Sequence, residues 1–240
     1  MKTALFSDVH GNIEALRKVL EDMDARKIKT RYFLGDAISY GPDPETCVQL
    51  LKDQNIPCLL GNHELALIKP WARTYFNEPT RLHFEQARKL LSRDSVEFIR
   101  TWPRNRIEHD MIMVHGFPPN SVRGYLFELT QSKLKSILMN MNPRIAFVGH
   151  THEIKLITNT GTDILQKELA PGMHALKGRS FIVNIGSVGQ PRDGDNRAKY
   201  IIYDNESLLI EARFIDYDRE KTINDILKLG FPEQYAWRLR

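Results

Sequence analysis

Short apolar runs alternate with clusters of polar residues through the first part of the chain. The runs at 3–6, 31–34 and 56–60 each end at a polar cluster, which is typical of strands that deliver side chains to one edge of a sheet. After the first two clusters, apolar residues return with helical spacing, with Asn12 and Asp43 as the expected N-caps. Two strand–loop–helix units in succession predict parallel strands joined by helical crossovers.

The middle of the chain departs from this alternation. Residues 65–101 carry no strand pattern and have apolar residues at helical spacing, which predicts a helical excursion from the sheet. Strands are expected again at 111–114 and 145–148, with a helix at about 132–139 between them. The βα order therefore resumes after the excursion.

The last third of the chain consists of short alternating segments separated by turn signals. Beyond residue 153 this pattern predicts antiparallel sheet, and a final helix is expected over about 218–229, ending at Gly230. No internal repeat, low-complexity tract or long linker interrupts the chain. We therefore expect one domain over residues 1–240.

The composition excludes several classes of protein. With 42% hydrophobic and 9% aromatic residues, the chain has globular content and is neither disordered nor fibrous. It has no apolar run of the roughly 18–20 residues that a membrane helix needs and no leader-like segment at Met1–Asp8. We therefore expect a cytoplasmic protein with no membrane partner, whose Cys47 and Cys58 are reduced core thiols.

The charge and the apolar surface bear on partners. The 34 basic and 30 acidic residues leave a formal charge of +4, which does not favour a nucleic-acid partner. Apolar residues in the excursion at 65–101 and in the C-terminal stretch 231–239 would close the core or bury a subunit interface. A homo-oligomer is therefore left open.

Residues with metal-ligand chemistry collect at the predicted strand ends. The set consists of Asp8, His10, Asp36, Asn62, His63, His115, His150 and His152. It contains five of the eight histidines of the chain. Ligands in open α/β sheets bind beyond the carboxyl ends of the strands, so these side chains are expected to converge. Carboxylate, amide and imidazole donors without thiolate suit Mn, Fe, Ni or Zn. Two divalent metal ions sharing Asp36 explain the number of donors better than one ion does.

Each block has a structural explanation when taken alone. The blocks around Asp8, Asp36 and Asn62 could be turns or helix caps, whereas the run Gly149-His150-Thr151-His152 after an apolar segment is more specific to metal binding. All of the blocks follow an apolar run, and this shared context favours one common site. The remaining histidines are expected at the surface or in packing: His83, His109 and His174. The aromatic residues Trp71, Tyr75 and Phe76 are expected in packing, and base stacking is left open for them.

In order along the chain, the blocks resemble the five motifs of the calcineurin-like metallophosphoesterase superfamily. These are Asp8-x-His10, Gly35-Asp36, Gly61-Asn62-His63-Glu64, His115 after an apolar run, and Gly149-His150-Thr151-His152. More narrowly, Tyr40-Gly41-Pro42 and the segment 184–192 resemble small prokaryotic phosphoesterases of the YfcE-like and diadenosine polyphosphate hydrolase-like kind. The likeness extends to about residue 204 and so covers most of the chain.

The resemblance implies a fold, a metal centre and a catalytic group. The fold would be α/β, a four-layer α/β/β/α sandwich. One ion would be held by Asp8, His10, Asp36 and His152, and the other by Asp36, Asn62, His115 and His150. His63 would be catalytic, as a general acid or a transition-state clamp, in its imidazolium form near the leaving group.

The resemblance also implies an activity. This is the hydrolysis of phosphodiester or nucleotide-type phosphoanhydride bonds by a metal-bridged hydroxide, on a small phosphorylated or nucleotide substrate. A diadenosine polyphosphate hydrolase and a broad phosphomonoesterase are the alternatives among enzymes. A noncatalytic nucleotide-binding module is the alternative outside them.

One departure from the wider superfamily narrows the substrate. Ser39 and Tyr40 stand where serine/threonine phosphatases have Asp and Arg, so the sequence does not predict a dedicated protein phosphatase. A tight loop at 186–189 could direct backbone amides at phosphate. Substrate contacts are expected from five side chains: Asn12, Tyr40, Arg123, Ser187 and Arg192.

Overall fold

Eleven strands form two β-sheets in the computed structural model, which describes residues 1–240. They are β1 (Lys2–Phe6), β2 (Thr30–Phe33), β3 (Asn105–Glu108), β4 (Met111–Val114), β5 (Ile145–Val148), β6 (Ile154–Asn159), β7 (Ile164–Glu168), β8 (Gly172–Ala175), β9 (Ser180–Ile185), β10 (Ala198–Asp204) and β11 (Leu209–Ile215). One sheet has five strands in the order β2-β1-β10-β11-β8, and the other has six in the order β3-β4-β5-β9-β6-β7. Parallel pairing joins β1 to β2, β4 to β5 and β5 to β9.

Eight α-helices connect and flank the sheets. They are α1 (Ile13–Ala25), α2 (Pro44–Asp53), α3 (Asn62–Ile68), α4 (Glu78–Ala87), α5 (Arg93–Arg100), α6 (Gln131–Asn140), α7 (Arg219–Lys228) and α8 (Glu233–Trp237). Short 3₁₀ turns lie at Pro70–Tyr75, Arg88–Leu90 and Leu126–Glu128. The predicted helical excursion is thus confirmed as α3 to α5. None of the helices has the length and apolarity needed to cross a bilayer.

Apolar side chains fill three interfaces between four layers. Between the sheets, Phe147 of one packs against Tyr203 of the other with ring centroids 5.2 Å apart. The outer face of the five-stranded sheet packs against α1 and α2, where Leu16 is fully buried. On the outer face of the six-stranded sheet, Leu134 of α6 packs near Val114. The predicted four-layer α/β/β/α sandwich is confirmed, and burying a side chain such as Leu16 contributes roughly 1.5–3 kcal/mol.

Five elements differ from the expectation. The run at 56–60 forms a single bridge between Phe33 and Cys58 rather than a strand, since Pro57 has no N–H to donate to a ladder. Strand β9 pairs parallel with β5 and antiparallel with β6, so the last third of the chain is not purely antiparallel. The pattern also missed β3, β8 and α8.

Candidate metal centre

All eight predicted site residues lie at one edge of the two sheets. Asp8 and His10 follow β1, and Asp36 follows β2. His115 follows β4, and His150 and His152 follow β5. Asn62 and His63 belong to the first turn of α3. Parallel pairing within β1–β2 and within β4–β5 brings the carboxyl ends of these strands to the same edge. Seven of the eight side chains are buried, and Asn62 is half-buried.

Three groups of donor atoms lie close enough to share an ion. Within each group the atoms are no more than 4.8 Å apart, and the groups are Asp8, His10 and His152; His10, Asp36 and His63; and Asp36, His115 and His150. Asp36 belongs to two groups, because its Oδ2 lies 3.2 Å from His115 Nε2 and 3.7 Å from His10 Nε2. Asn62 Oδ1 also lies 3.2 Å from His115 Nε2.

The group around Asp8 has the geometry and the chemistry of a divalent-ion site. His10 Nε2 and His152 Nε2 are 3.2 Å apart, and His152 Nε2 is 3.2 Å from Asp8 Oδ1. Ligands about 2.1 Å from one ion are separated by about 3.0–3.4 Å in octahedral or tetrahedral coordination. The two Nδ1 atoms face carbonyl oxygens, so each bears the proton and each Nε2 presents a lone pair. A cation between these lone pairs, with the unpartnered Asp8 Oδ1, satisfies all three atoms.

The group around His115 also offers free donor atoms. His115 Nδ1 donates to the Leu34 carbonyl oxygen at 2.7 Å, which leaves Nε2 directed at Asp36 and Asn62. His150 is oriented the other way, since its Nε2 donates to the Arg123 carbonyl oxygen at 3.1 Å and Nδ1 is left without a proton. The residues present therefore fit a second divalent ion that shares Asp36 with the first.

Five of these residues adopt left-handed backbone conformations. The φ angles are 56° at Asp8, 49° at His10, 61° at Asp36, 70° at His150 and 62° at His152. Asp and His are among the non-glycine residues that tolerate this region best, although it still costs of order 1–3 kcal/mol when the surroundings impose it. Each of these residues comes after the end of a strand. The sharp turn at its backbone directs the side chain back over the edge of the sheet and into the cluster.

The environment of the cluster keeps Asp36 ionised and His150 neutral, which are their metal-binding forms. Burial acts to raise the pKa of Asp36, but His115 and His63 outweigh it and hold that pKa well below its usual range. Burial lowers the pKa of His150 to about 3, so this imidazole is neutral. His115 differs: burial lowers its pKa, but Asp36 and Asp8 outweigh that and raise it to about 9. An ion at this position would replace the His115 proton.

His63 lies beside the cluster in an aromatic environment. Its ring stacks on Phe76 with centroids 4.8 Å apart, and it meets Tyr40 edge-on at 5.0 Å. The backbone N–H of His63 donates to Asp36 Oδ1 at 3.0 Å, while the side-chain Nδ1 has no partner. Burial lowers the pKa of His63 to about 4, so the neutral ring is favoured in the metal-free protein. An anionic substrate next to the ring would raise that pKa and favour the imidazolium.

Glu64 is a functional residue whose role the sequence did not reveal. It is fully buried, and its two oxygens accept hydrogen bonds from the backbone N–H groups of Asp36, Ala37, Ile38 and Gly61, at 2.8–3.3 Å. These contacts hold the loop that carries Asp36 against the first turn of α3. The motif Gly61-Asn62-His63-Glu64 was the only signal that could have indicated it.

His83 of α4 supports the same loop from the other side, although the sequence assigned it to the surface or to packing. Its Nε2 accepts the Tyr40 N–H at 2.7 Å, and the two rings stack with centroids 6.1 Å apart. Tyr40 has a φ of 64° and follows Ser39 at 74°, so the loop here is strained and depends on these contacts. No local pattern distinguishes His83, because its partner lies 43 residues away in sequence.

A cavity of about 250 Å³ opens above the cluster. Asp36, Asn62, His63, His150 and His152 contribute to its floor. The walls come from the excursion, from the loop after β9 and from α8: Tyr75, Phe76, Asn77, Pro79, Thr80, Arg192, Gln234, Tyr235 and Arg238. The C-terminal stretch therefore closes the core and also borders the cavity, which its apolar pattern did not indicate.

The five predicted substrate contacts occupy different places. Tyr40 and Arg192 line the cavity. Arg123 does not line it but stacks on Tyr75, which does, with its guanidinium 3.7 Å from the ring centroid. Asn12 caps α1 and is bonded to Tyr217 and Thr222, and Ser187 is bonded to the Asp8 carbonyl oxygen and the Gln190 N–H. Both of these side chains are buried and engaged by the protein, and neither reaches the cavity.

The fold and the donor cluster together define a class of protein. Both sheets bring oxygen and nitrogen donors suited to divalent ions to the floor of one cavity. This arrangement is typical of metal-dependent phosphoesterases. The comparisons with known proteins place the chain within that class. It belongs to the calcineurin-like phosphoesterase family, whose sequence model matches residues 1–153, and it is a hydrolase of phosphoric esters.

The similarity to known proteins extends over the whole chain. An uncharacterized protein of Methanocaldococcus jannaschii is 32% identical over 241 residues, covering 98% of this chain and 96% of that protein. A crystal structure of a metallophosphoesterase from Sphaerobacter thermophilus superposes with a TM-score of 0.85 at 29% identity, covering 100% of this chain and 98% of that one. A hypothetical protein from Pyrococcus horikoshii shares the fold, with a TM-score of 0.79, 18% identity and coverage of 99% and 97%.

Proposed function

We propose that this protein is a binuclear phosphoesterase that hydrolyses phosphodiester or nucleotide-type phosphoanhydride bonds. The observation that carries the proposal is the position of Asp36, which belongs to two donor groups at the floor of one cavity. A carboxylate in that position can bridge two ions, and the remaining donors divide into one set on each side. Asp8, His10 and His152 complete one set, and Asn62, His115 and His150 complete the other.

Paired divalent ions, when bound, lower the pKa of a shared water and neutralise the charge on phosphate oxygens. The chain's own residues orient the substrate and handle protons. His63 projects into the cavity next to Asn62, where an imidazolium can donate a proton to the departing oxygen. Arg192 adds a positive charge to the same cavity, and Phe76 and Tyr40 hold the His63 ring and exclude water from one side of it.

The first test is hydrolysis of bis(p-nitrophenyl) phosphate by chelator-stripped protein. Mn²⁺, Ni²⁺, Zn²⁺ and Mg²⁺ are added back singly, and the bound metal is counted by mass spectrometry. We expect no turnover without metal and restored turnover with Mn²⁺ at about two ions per chain. Restored turnover at about one ion per chain would reject the binuclear centre.

Three substrates compared side by side define the reaction. These are bis(p-nitrophenyl) phosphate, p-nitrophenyl phosphate and a dinucleoside polyphosphate. Preference for the second substrate would favour a broad phosphomonoesterase, and preference for the third a dinucleoside polyphosphate hydrolase. If about two ions bind and none of the three is cleaved, the proposed hydrolysis is rejected and a noncatalytic nucleotide-binding role is favoured instead.

A further inference from the structure

The cavity above the donor cluster has an unequal distribution of charge. Asp36 is the only acidic residue among its lining residues, and it belongs to the donor cluster itself. Two arginines, Arg192 and Arg238, line the same cavity. A cavity with metal ligands on the floor and two cations on the walls favours ligands with more than one negative charge.

Arg192 is the inner of the two arginines. It lines the cavity together with His63 and His152, so its charge lies in the same cavity as the donor cluster. The backbone holds it there, because the Arg192 N–H donates to the His152 carbonyl oxygen at 3.2 Å. Its side chain is exposed, and although it also borders a neighbouring cavity with Glu153, Glu168, Asp193 and Asp195, it is within salt-bridge distance of none of them. Arg192 is therefore free to bind an anion placed over the cluster.

Arg238 is the outer arginine and comes from the end of the chain. It follows α8 and is exposed, and its guanidinium lies 6.0 Å from the ring centroid of Tyr235. It forms no ion pair within the protein either. Arg238 reaches the cavity from the segment after α8, whereas the Arg192 backbone is bonded directly to the donor residue His152.

The segment that carries Arg238 is fixed to the centre. Tyr235 is buried, with its ring 4.8 Å from those of Tyr40 and His83, and its carbonyl oxygen accepts from Gln190 Nε2 at 3.2 Å. Phe231 packs edge-on against His83 at 4.4 Å. Because α8 is anchored through the same residues that support the Asp36 loop, the backbone that carries Arg238 is positioned at the cavity before any ligand arrives.

We propose that Arg238, together with Arg192, forms a second anion subsite, which selects substrates that carry another phosphate next to the scissile one. This inference rests on the proposed hydrolysis and narrows its substrate class to phosphoanhydrides of the nucleoside polyphosphate kind. Arginine suits the task because its planar guanidinium donates two parallel hydrogen bonds to a phosphate. The first phosphate lies over the donor cluster within reach of Arg192, and the second lies between Arg192 and Arg238.

The test measures binding to the Mn²⁺-loaded protein by calorimetry. The probes are methylenediphosphonate, which has two phosphonate groups, and methylphosphonate, which has one. The variants are Arg238→Ala, Arg238→Lys and Arg192→Ala, with Arg240→Ala as the matched control. Arg240 is an exposed arginine two positions beyond Arg238, and it borders a different cavity near Tyr217. The diphosphonate is added as its Mn²⁺ complex, so that it does not strip the protein.

The informative quantity is the affinity for the diphosphonate divided by that for the monophosphonate. We expect Arg238→Ala to lower this ratio by about tenfold, Arg238→Lys to lower it by less, and Arg240→Ala to leave it unchanged. Arg192→Ala is expected to weaken both probes. An unchanged ratio in Arg238→Ala would overturn the second subsite.

The test of the second subsite can succeed or fail independently of the test of the proposed hydrolysis. Binding is measured without turnover, so a protein that binds metal and cleaves no ester still reports the ratio. If hydrolysis occurs and the ratio does not depend on Arg238, only the subsite is rejected. If the ratio depends on Arg238 and no substrate is cleaved, only the hydrolysis is rejected.

Discussion

At the scale of single residues, the candidate centre is built from conformations that most side chains avoid. Asp8, His10, Asp36, His150 and His152 all have positive φ, and four of them lie within two residues of another member of the set. The strain is retained because neighbouring contacts fix each turn, as where the Gly41 N–H donates to the His10 carbonyl oxygen at 2.7 Å. Folding free energy is thus given up to position ligands, which is a common feature of functional sites.

Replacing Asp36 by Asn is expected to remove metal without unfolding the protein. The amide keeps the size of the carboxylate, but it is neutral and offers one oxygen, so it cannot bridge two cations. Metal counting after dialysis against Mn²⁺ should give one ion per chain or fewer for Asp36→Asn. Asp110→Asn is the matched control, since Asp110 also has a left-handed backbone conformation but lies exposed in the β3–β4 turn. Equal metal content in Asp36→Asn and the control would contradict the bridging role.

Replacing His63 by Ala is expected to separate metal binding from turnover. Loss of a general acid lowers kcat by about 10²- to 10⁴-fold. The metal content should remain near that of the parent protein, because the other donors are intact. Steady-state kinetics with bis(p-nitrophenyl) phosphate and metal counting on the same sample measure both effects. His174→Ala, at a half-buried histidine of β8 that lies outside the donor cluster, should change neither. Full activity in His63→Ala would remove His63 from the mechanism.

At the scale of elements, the helical excursion supports the loop that carries Asp36. Glu64 of α3 binds the start of this loop and His83 of α4 binds its end at Tyr40. The sequence predicted the excursion from its helical spacing, which is a local property. It could not predict the support, because Glu64 and His83 lie 28 and 43 residues from the loop positions that they bind. The contacts of Asn12 could not be predicted for the same reason, since Tyr217 and Thr222 are about 200 positions away.

The support by His83 predicts a dependence of stability on pH. Burial lowers the pKa of His83 to about 4, against an ordinary value of 6.5. The unfolded chain therefore binds one proton more than the folded chain between these values, and the contribution of His83 is complete above pH 6.5 and is lost as the pH falls towards 4. In His83→Gln the amide oxygen can still accept the Tyr40 N–H, but it does not titrate. The loss of unfolding free energy between pH 7 and pH 5 should be smaller by about 2 kcal/mol than in the parent protein.

Urea denaturation of the metal-free forms at pH 7 and pH 5 measures this difference. The other buried histidines titrate in both proteins, so their contribution cancels in the comparison. His109→Gln provides the control, because His109 is exposed in the β3–β4 turn. An identical pH dependence in His83→Gln and the parent would show that His83 does not stay neutral at pH 5.

At the scale of the whole molecule, the candidate centre joins the two sheets. The five-stranded sheet supplies Asp8 and Asp36, and the six-stranded sheet leads to His115 and His150. The sequence predicted this convergence because every ligand directly follows an apolar run and strand ends meet at one edge. It did not predict α8 at the cavity, since an apolar stretch such as Phe231–Leu239 carries no information on which surface it covers.

Because ligands come from both sheets, metal binding is expected to stabilise the entire fold. The folded chain binds the ions and the unfolded chain has no assembled site, so free metal at one hundred times its dissociation constant adds about 2.7 kcal/mol per site. Urea denaturation of chelator-stripped protein should therefore shift to higher urea when Mn²⁺ is added. Mg²⁺ should shift it less, because His10, His115, His150 and His152 offer nitrogen where Mg²⁺ prefers oxygen. Asp36→Asn should lose most of the Mn²⁺ shift, and Asp110→Asn should keep it. A denaturation midpoint that does not respond to any of these ions would mean that the cluster of donors does not bind metal in solution.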